Sequence, residues 1–248
     1  MKNYLFKLGY QAKKAYSKSV ISKTKDQVLI DYCNLIIKNQ LKIITENKKD
    51  INQANKKKIK ENLIKRLLLN KTKISQIINS IKIIREFKDP VNKVLEKWKR
   101  PNGLSISKVT TSIGIIGVIY ESRPNVTSDV ASLCFKSGNP VILKGGSEAY
   151  YSNKIFSKLF RLALKKNKVN ENYIQFIDIR DRKVVNFLLT KMSKFIDVII
   201  PRGGKNLVKK VNNLSRIPVI GHLEGLCHTY VDEDANLEMA KKITLNAK

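Results

Sequence analysis

The stretch Ile113–Ser147, IGIIGVIYESRPNVTSDVASLCFKSGNPVILKGGS, decides the fold of this chain. It contains two short apolar runs, residues 113–120 and 140–143, each bounded by glycine or proline, a pattern typical of buried strands. Between the runs, apolar side chains recur at helical spacing: Val126, Val130, Leu133 and Cys134. The stretch therefore predicts one strand–helix–strand unit that leaves its second strand through a glycine turn.

That turn, Lys144-Gly145-Gly146-Ser147, is a candidate nucleotide site. Parallel sheets place ligands at the carboxyl ends of their strands, where glycine lets a phosphate approach the backbone and the next helix favours negative charge. The motif is neither GxGxxG nor a Walker loop. A plain strand-to-helix turn with Ser147 as the N-cap explains the same residues.

Two further segments extend the candidate site. Pro201-Arg202-Gly203-Gly204 again places two glycines and a cation at a strand exit, which suits phosphate. After the first strand, the arginine fork of Arg123 suits a carboxylate or an acyl phosphate, and Asn125 can donate to a developing oxyanion. Alternatively, Asn125 caps the following helix and Arg123 is simply solvated.

The rest of the chain predicts an α/β fold with a preceding helical region. Residues 1–100 carry apolar stripes at three-and-four spacing and predict packed helices, with a turn-rich linker at 98–103. Strands alternating with helices predict a parallel sheet covered on both faces. The further strands are 174–178, 196–200 and 217–220, with a short apolar run at 228–231, and the helices are 126–137, 148–165, 181–193, 204–213 and 235–246.

The formal net charge of +29 invites a nucleic-acid function. It comes chiefly from lysines spread along the chain together with abundant Asn and Ile, which a codon-biased genome would produce, and no nucleic-acid-binding module is visible. No run reaches the ~18 apolar residues of a membrane helix. Three distant cysteines indicate a reduced, cytoplasmic protein, and the cluster His222, Glu224, Cys227 and His228 is not a convincing metal site.

Four segments together resemble the glutamate-5-semialdehyde dehydrogenase family, also called gamma-glutamyl phosphate reductases. They are GVIYESRPNVTSDVASLCFKSGNPVILKGG, DVIIPRGGKNLV, IPVIGHLEGLCHTYVDEDANLEMA and ITLNAK, and the resemblance covers essentially the whole chain. It implies an aldehyde-dehydrogenase-like α/β fold. Residues 1–103 would form an N-terminal helical region with its linker, and residues 104–248 a Rossmann-like nucleotide-binding domain, with the catalytic domain missing.

The resemblance also implies an activity: reduction of L-glutamyl 5-phosphate to the semialdehyde by NADPH, with release of phosphate, in proline biosynthesis. Lys144, Gly145, Gly146 and Ser147 would meet the adenosine ribose, and Arg202, Gly203 and Gly204 the pyrophosphate. Glu121, Arg123 and Asn125 lie in the family's ESRPN motif and would line the substrate pocket. The choice between NADP and NAD stays open, since Lys144 suits a 2′-phosphate and Glu148 a free hydroxyl.

In the family, the nucleophilic cysteine lies a few residues beyond a sequence like NAK, that is, beyond Lys248. We therefore assign no catalytic residue here and expect this chain alone to bind nucleotide without turnover. The intact protein would be a homo-oligomer functionally coupled to glutamate 5-kinase, without a specific nucleic-acid or membrane partner. The alternatives are a catalytically dead nucleotide-binding fragment and a basic nucleic-acid-binding protein.

Overall fold

The first 86 residues fold into five α-helices, as their hydrophobic spacing predicts. The computed structural model describes residues 1–121, 123–181, 183–221 and 227–247. The helices are α1 (Lys2–Tyr16), α2 (Ser22–Lys38), α3 (Gln40–Lys56), α4 (Glu61–Leu67) and α5 (Lys71–Glu86). In α5, the isoleucines at three-and-four spacing are the buried residues.

The prediction of helix up to residue 100 is wrong at its end, where an antiparallel hairpin forms. Strand β1 (Val94–Lys99) pairs with β2 (Ser105–Val109). The Arg100 N–H donates to the Leu104 carbonyl at 2.9 Å, and Gly103 takes a left-handed φ of +85°. The turn predicted at 98–103 is therefore confirmed, but it joins two strands. Every residue of β1 is exposed, so its sequence shows no buried face.

A four-stranded parallel sheet follows, in the order β5-β4-β3-β6. Its strands are β3 (Ile116–Tyr120), β4 (Val141–Gly145), β5 (Ile174–Phe176) and β6 (Val198–Arg202). The accompanying helices are α6 (Pro124–Lys136), α7 (Tyr150–Lys166), α8 (Lys183–Lys191), α9 (Lys205–Leu214) and α10 (Leu237–Ala247). These bounds confirm four of the predicted strands and all five helices.

The predicted strand at 217–220 does not form, and Val219 makes only an isolated bridge with Ile199. The Ser215 hydroxyl donates to the Ile217 carbonyl at 2.7 Å and accepts from the Ile217 N–H at 3.1 Å. The Ile199 N–H donates to the Pro218 carbonyl and the Ile220 N–H to the Ile199 carbonyl, each at 2.9 Å. The next donor in β6 would be Pro201, which has no N–H, so the ladder stops there. Residues 228–231 are exposed and make no strand pairing among the described residues.

Helices cover both faces of the sheet because successive strand residues point to opposite sides. Val118 and Tyr120 pack with α2, α5, α6 and α7, whereas Ile119 packs with α1, α8 and α9. The N-terminal helices are thus part of the sheet's own core. A division into units at residue 103 stays a prediction.

Buried polar bonds fix these helices against one another. The carboxylate of Asp50 on α3 accepts from the Tyr151 N–H at 3.0 Å, the Ser152 N–H at 2.8 Å and the Ser152 hydroxyl at 2.7 Å. Since the first N–H groups of a helix have no intrahelical acceptor, Asp50 caps α7 from another helix. Among the described residues, no helix is long and apolar enough to cross a membrane.

Candidate functional site

Three strand ends meet at one level of the sheet. Tyr120, the last residue of β3, lies opposite Gly145 on one side and Arg202 on the other. The segments that follow these residues therefore emerge side by side at the carboxyl edge, where parallel sheets hold their ligands. This register brings together the three motifs that lie up to 83 residues apart in the sequence.

A groove of about 1510 Å³ opens at this edge. Nine of the ten predicted site residues line it: Glu121, Arg123, Lys144, Gly145, Gly146, Ser147, Arg202, Gly203 and Gly204. Asn125 lies outside it and lines an adjoining pocket of about 460 Å³, to which Arg123 also belongs. The structure thus gathers the predicted residues into one groove and a side pocket.

Lys144 is the buried cation of the groove, with 7% of its surface exposed. Its Nζ donates to the Gly145 carbonyl at 2.9 Å. Burial lowers the pKa of Lys144, and the nearby charge of Glu148 opposes that shift. Lys144 can present a positive charge to an anion while Glu148 presents an acceptor to a hydroxyl.

The two turns contain glycine for a packing reason. A Cβ at Gly145 would overlap the amide nitrogen of Asn153 and come within 3.1 Å of the Tyr120 ring, and one at Gly203 would lie 2.6 Å from the Glu121 carboxyl carbon. Any larger residue at these two positions would push neighbouring side chains aside. At both glycines, the space that a Cβ would occupy is therefore filled by the protein's own side chains.

Helix α9 begins at the second turn, with Gly204 as its N-cap. The Gly204 N–H points to the Glu121 carboxylate and donates to Oε2 at 2.9 Å. A helix N-terminus attracts anions through its unpaired N–H groups and its dipole. The Glu121 carboxylate therefore lies where a phosphate oxygen could accept a hydrogen bond from the Gly204 N–H.

Both capping alternatives for the motif residues are wrong. Ser147 starts a short 3₁₀ turn whose N-cap is Gly146, and the Ser147 hydroxyl donates to the Glu148 carboxylate at 3.0 Å. Asn125 lies within the first turn of α6, whose N-cap is Arg123. The Asn125 amide donates to Asp129 Oδ2 at 3.0 Å. Neither side chain makes a capping hydrogen bond to a helix N–H group.

Sequence reasoning missed several charged residues around the groove and its side pocket. Arg66 comes from α4, whose apolar side chains form part of the wall. Arg180 lies 4.0 Å over the ring of Tyr150 and donates to Gln53 Oε1 at 3.4 Å. Asp129 lines the side pocket. Only Asp129 had a visible signal, because Asn125 and Asp129 are four residues apart at the start of a predicted helix.

The cysteines do not join the site in the part of the chain that the structure describes. Cys33 and Cys134 are buried, and burial raises the pKa of Cys134 to about 12. Cys227 is exposed, and no group of metal-binding side chains is found among the described residues. His222 and Glu224, from the cluster considered above, lie outside the described residues.

The sequence matches curated relatives along its whole length. A gamma-glutamyl phosphate reductase of a Sulfurihydrogenibium species is 42% identical over 249 residues, which cover 100% of this chain and 56% of that protein. The chain is homologous to the N-terminal part of the gamma-glutamyl phosphate reductases. It spans little more than half the length of such relatives.

Solved structures agree with this relationship. The gamma-glutamyl phosphate reductase of Thermotoga maritima matches with a TM-score of 0.91 and 34% identity, over 98% of this chain and 59% of that chain. A propionaldehyde dehydrogenase of Rhodopseudomonas palustris matches with a TM-score of 0.62 and 13% identity, over 87% and 46% of the two chains. The predicted aldehyde-dehydrogenase-like fold is confirmed. No family model matches the sequence.

Proposed function

We propose that this chain supplies the nucleotide-binding part of a gamma-glutamyl phosphate reductase. The whole enzyme would reduce L-glutamyl 5-phosphate to L-glutamate 5-semialdehyde with NADPH and release phosphate. The observation that carries the proposal is the shared groove, into which three adjacent strand ends bring the residues that the family resemblance singles out. NADPH supplies the hydride when it is bound.

The residues of the groove fit a dinucleotide with an extra phosphate. Lys144 and Arg180 would hold the ribose 2′-phosphate, since one is a buried cation and the other a planar guanidinium held over Tyr150. Arg202 and the backbone of Gly203 and Gly204 would hold the pyrophosphate at the start of α9. A site with only one cation beside the adenosine ribose would bind the 2′-phosphate less strongly and would distinguish NADPH from NADH less well.

The substrate would lie beside β3's exit, where Arg123 joins the groove to the side pocket. Arg123 would bind an anionic group of the substrate, and Asn125 would orient an oxygen at the reacting end. Both buried cysteines are far from thiolate character, because burial raises the pKa of Cys33 and of Cys134. Cys227 is exposed but does not line the groove. We therefore expect the polypeptide of residues 1–248, tested by itself, to bind NADPH without reducing glutamyl phosphate.

Isothermal titration of the 248-residue chain with NADPH and with NADH tests this function. We expect Lys144→Met and Arg180→Met each to weaken NADPH binding about tenfold, with a smaller effect on NADH, because each removes a charge-assisted contact. Lys108→Met, on the exposed hairpin strand β2, is the matched control and should change neither affinity. Absence of NADPH binding, or measurable turnover of glutamyl phosphate by this chain, would refute the proposal.

A further inference from the structure

The side pocket of about 460 Å³ lies between α5 and the start of α6 and has an unusual charge content. We call it the α5–α6 pocket. Its polar lining comprises Arg66, Lys73, Gln76, Ser80, Arg123, Asn125 and Asp129. Three cations and one carboxyl group thus surround a space large enough for a small ligand.

Asp129 is only half satisfied in this pocket. Its Oδ2 accepts a hydrogen bond from the Asn125 amide at 3.0 Å. Its Oδ1 is buried and has no hydrogen-bond partner among the described residues. A buried carboxylate oxygen without a donor costs free energy, so the protein's own hydrogen bonds satisfy this carboxyl group only in part. Burial also raises the pKa of Asp129, while the Asn125 bond and the charge of Arg202 oppose that rise.

The cations of the pocket differ in availability. Lys73 already donates to the Lys65 carbonyl at 2.8 Å. Arg123 is exposed and carries the planar fork that binds a carboxylate through two parallel bonds. Arg66 and Arg123 line the groove as well as the pocket, so a ligand can extend from one to the other.

We propose that the α5–α6 pocket binds the amino-acid end of the substrate, with the Asp129 carboxylate accepting from the α-ammonium and Arg123 binding the α-carboxylate. The Asp129 carboxyl group and the Arg123 guanidinium match the two opposite charges of an α-amino acid, and neither a dicarboxylate nor a plain phosphate would satisfy Asp129. The acyl phosphate end would then reach into the groove. This inference rests on the proposed function and names the group by which the substrate is selected.

Two stable analogues test the role of the amine directly. L-2-amino-5-phosphonopentanoate carries the ammonium, carboxylate and a terminal phosphonate, and 5-phosphonopentanoate differs from it only in lacking the amine. Titrated into the 248-residue chain, the amino compound should bind about tenfold more tightly, because it makes one additional charge-assisted hydrogen bond. Equal affinities, or no binding of either compound, would overturn the proposal.

Asp129→Asn is the decisive variant, because the amide keeps the side chain's shape and loses its charge. We expect it to abolish the preference for the amino compound, and a preference that survives would overturn the proposal. Asp181→Asn, at the exposed start of α8, is the matched control and should keep the preference. Should Asp129→Asn fail to fold, Arg123→Met takes its place and should weaken both analogues by a similar factor; unchanged binding in that variant would again overturn the proposal.

NADPH titration of the same samples separates the two proposals. If NADPH does not bind but the amine preference depends on Asp129, the proposed nucleotide function fails and the pocket stands. If NADPH binds normally and the amine preference is missing, the function stands and the pocket assignment fails.

Discussion

The Glu121 carboxylate accepts a hydrogen bond from the Gly204 N–H, with 2.9 Å between Oε2 and nitrogen, and so joins the exit of β3 to the start of α9. The bond puts a negative charge at the helix end that we assign to the cofactor's pyrophosphate. A bound dinucleotide must therefore displace this carboxylate or bind beside it against electrostatic repulsion.

Glu121→Gln should strengthen NADPH binding by about fivefold, since a neutral amide keeps the side chain's size and removes the repulsion. The gain should shrink at high salt, which screens exposed charges. Isothermal titration at two salt concentrations measures both effects. Glu171→Gln, a remote acidic residue paired with Arg161, is the control. Weaker binding of Glu121→Gln would mean that the carboxylate contacts the cofactor directly.

Gly145→Ala should destabilise the fold by about 1–3 kcal/mol, because the added methyl group overlaps Asn153 and crowds Tyr120. Gly204→Ala is a matched control within the same groove. The nearest atom to a Cβ at Gly204 is Glu121 Oε2 at 3.9 Å, so its cost should stay below about 1 kcal/mol. Urea unfolding followed by circular dichroism compares the two. Equal losses would show that packing at Asn153 does not explain the glycine.

Asp50→Ala should lower the free energy of unfolding by about 2–4 kcal/mol, because it leaves two N–H groups of α7 and the Ser152 hydroxyl without their acceptor. Asn70→Ala removes an exposed cap, a single bond from the Lys73 N–H at 2.8 Å, and should cost about 1 kcal/mol. Urea unfolding again provides the measurement. A loss at Asp50 no larger than that at Asn70 would contradict the assigned role of this cap.

Acid should weaken the fold through Asp89. Burial alone would raise the pKa of Asp89, but the Lys25 ammonium at 2.7 Å, the Val91 N–H and the charges of Lys25 and Lys136 outweigh it and lower the pKa below 3.8. A carboxyl group with a lowered pKa in the folded state stabilises the fold above its unfolded pKa, and this contribution is lost as pH falls through the folded pKa.

Asp89→Asn should therefore cost about 2 kcal/mol at neutral pH and progressively less as the pH falls below 3.8. Unfolding free energies of wild type and variant across that pH range give the difference. Glu61→Gln is the control, because Glu61 pairs with Lys65 on the exposed face of α4. A difference that does not change with pH would rule out titration of Asp89 as its source.

Local patterns predicted the sheet well and its long-range contacts poorly. The runs around Val118 and Val141 are short, apolar and bounded by turn residues, so strands were the natural prediction. The hairpin strand Val94–Lys99 was not predicted, because none of its residues is buried and its sequence therefore shows no apolar face. The bond between Glu121 and Gly204 spans 83 residues, and only the packed sheet brings its partners together.

In the candidate site, too, local sequence patterns were predictive and long-range contacts were not. Glycine and arginine at strand exits were visible signals for Lys144–Ser147 and for Arg202. Arg180 follows no turn motif, and its guanidinium lies on Tyr150 and contacts Gln53, two residues that are distant from it in the sequence. The unpaired oxygen of Asp129 is a property of packing, which no residue pattern reports.

The core that joins the N-terminal helices to the sheet has a consequence for synthesis on the ribosome. The Gln175 amide donates to the Leu8 carbonyl at 2.7 Å, across 167 residues of chain. At about 5–20 residues per second, the first helix leaves the ribosome roughly 10–30 s before its partner strand is made. The apolar face of α1, which packs with Ile177 and α8, cannot be fully covered during that interval. The nascent chain should therefore be a client of holding chaperones, and slow translation of the first 170 codons would lengthen its exposure to aggregation.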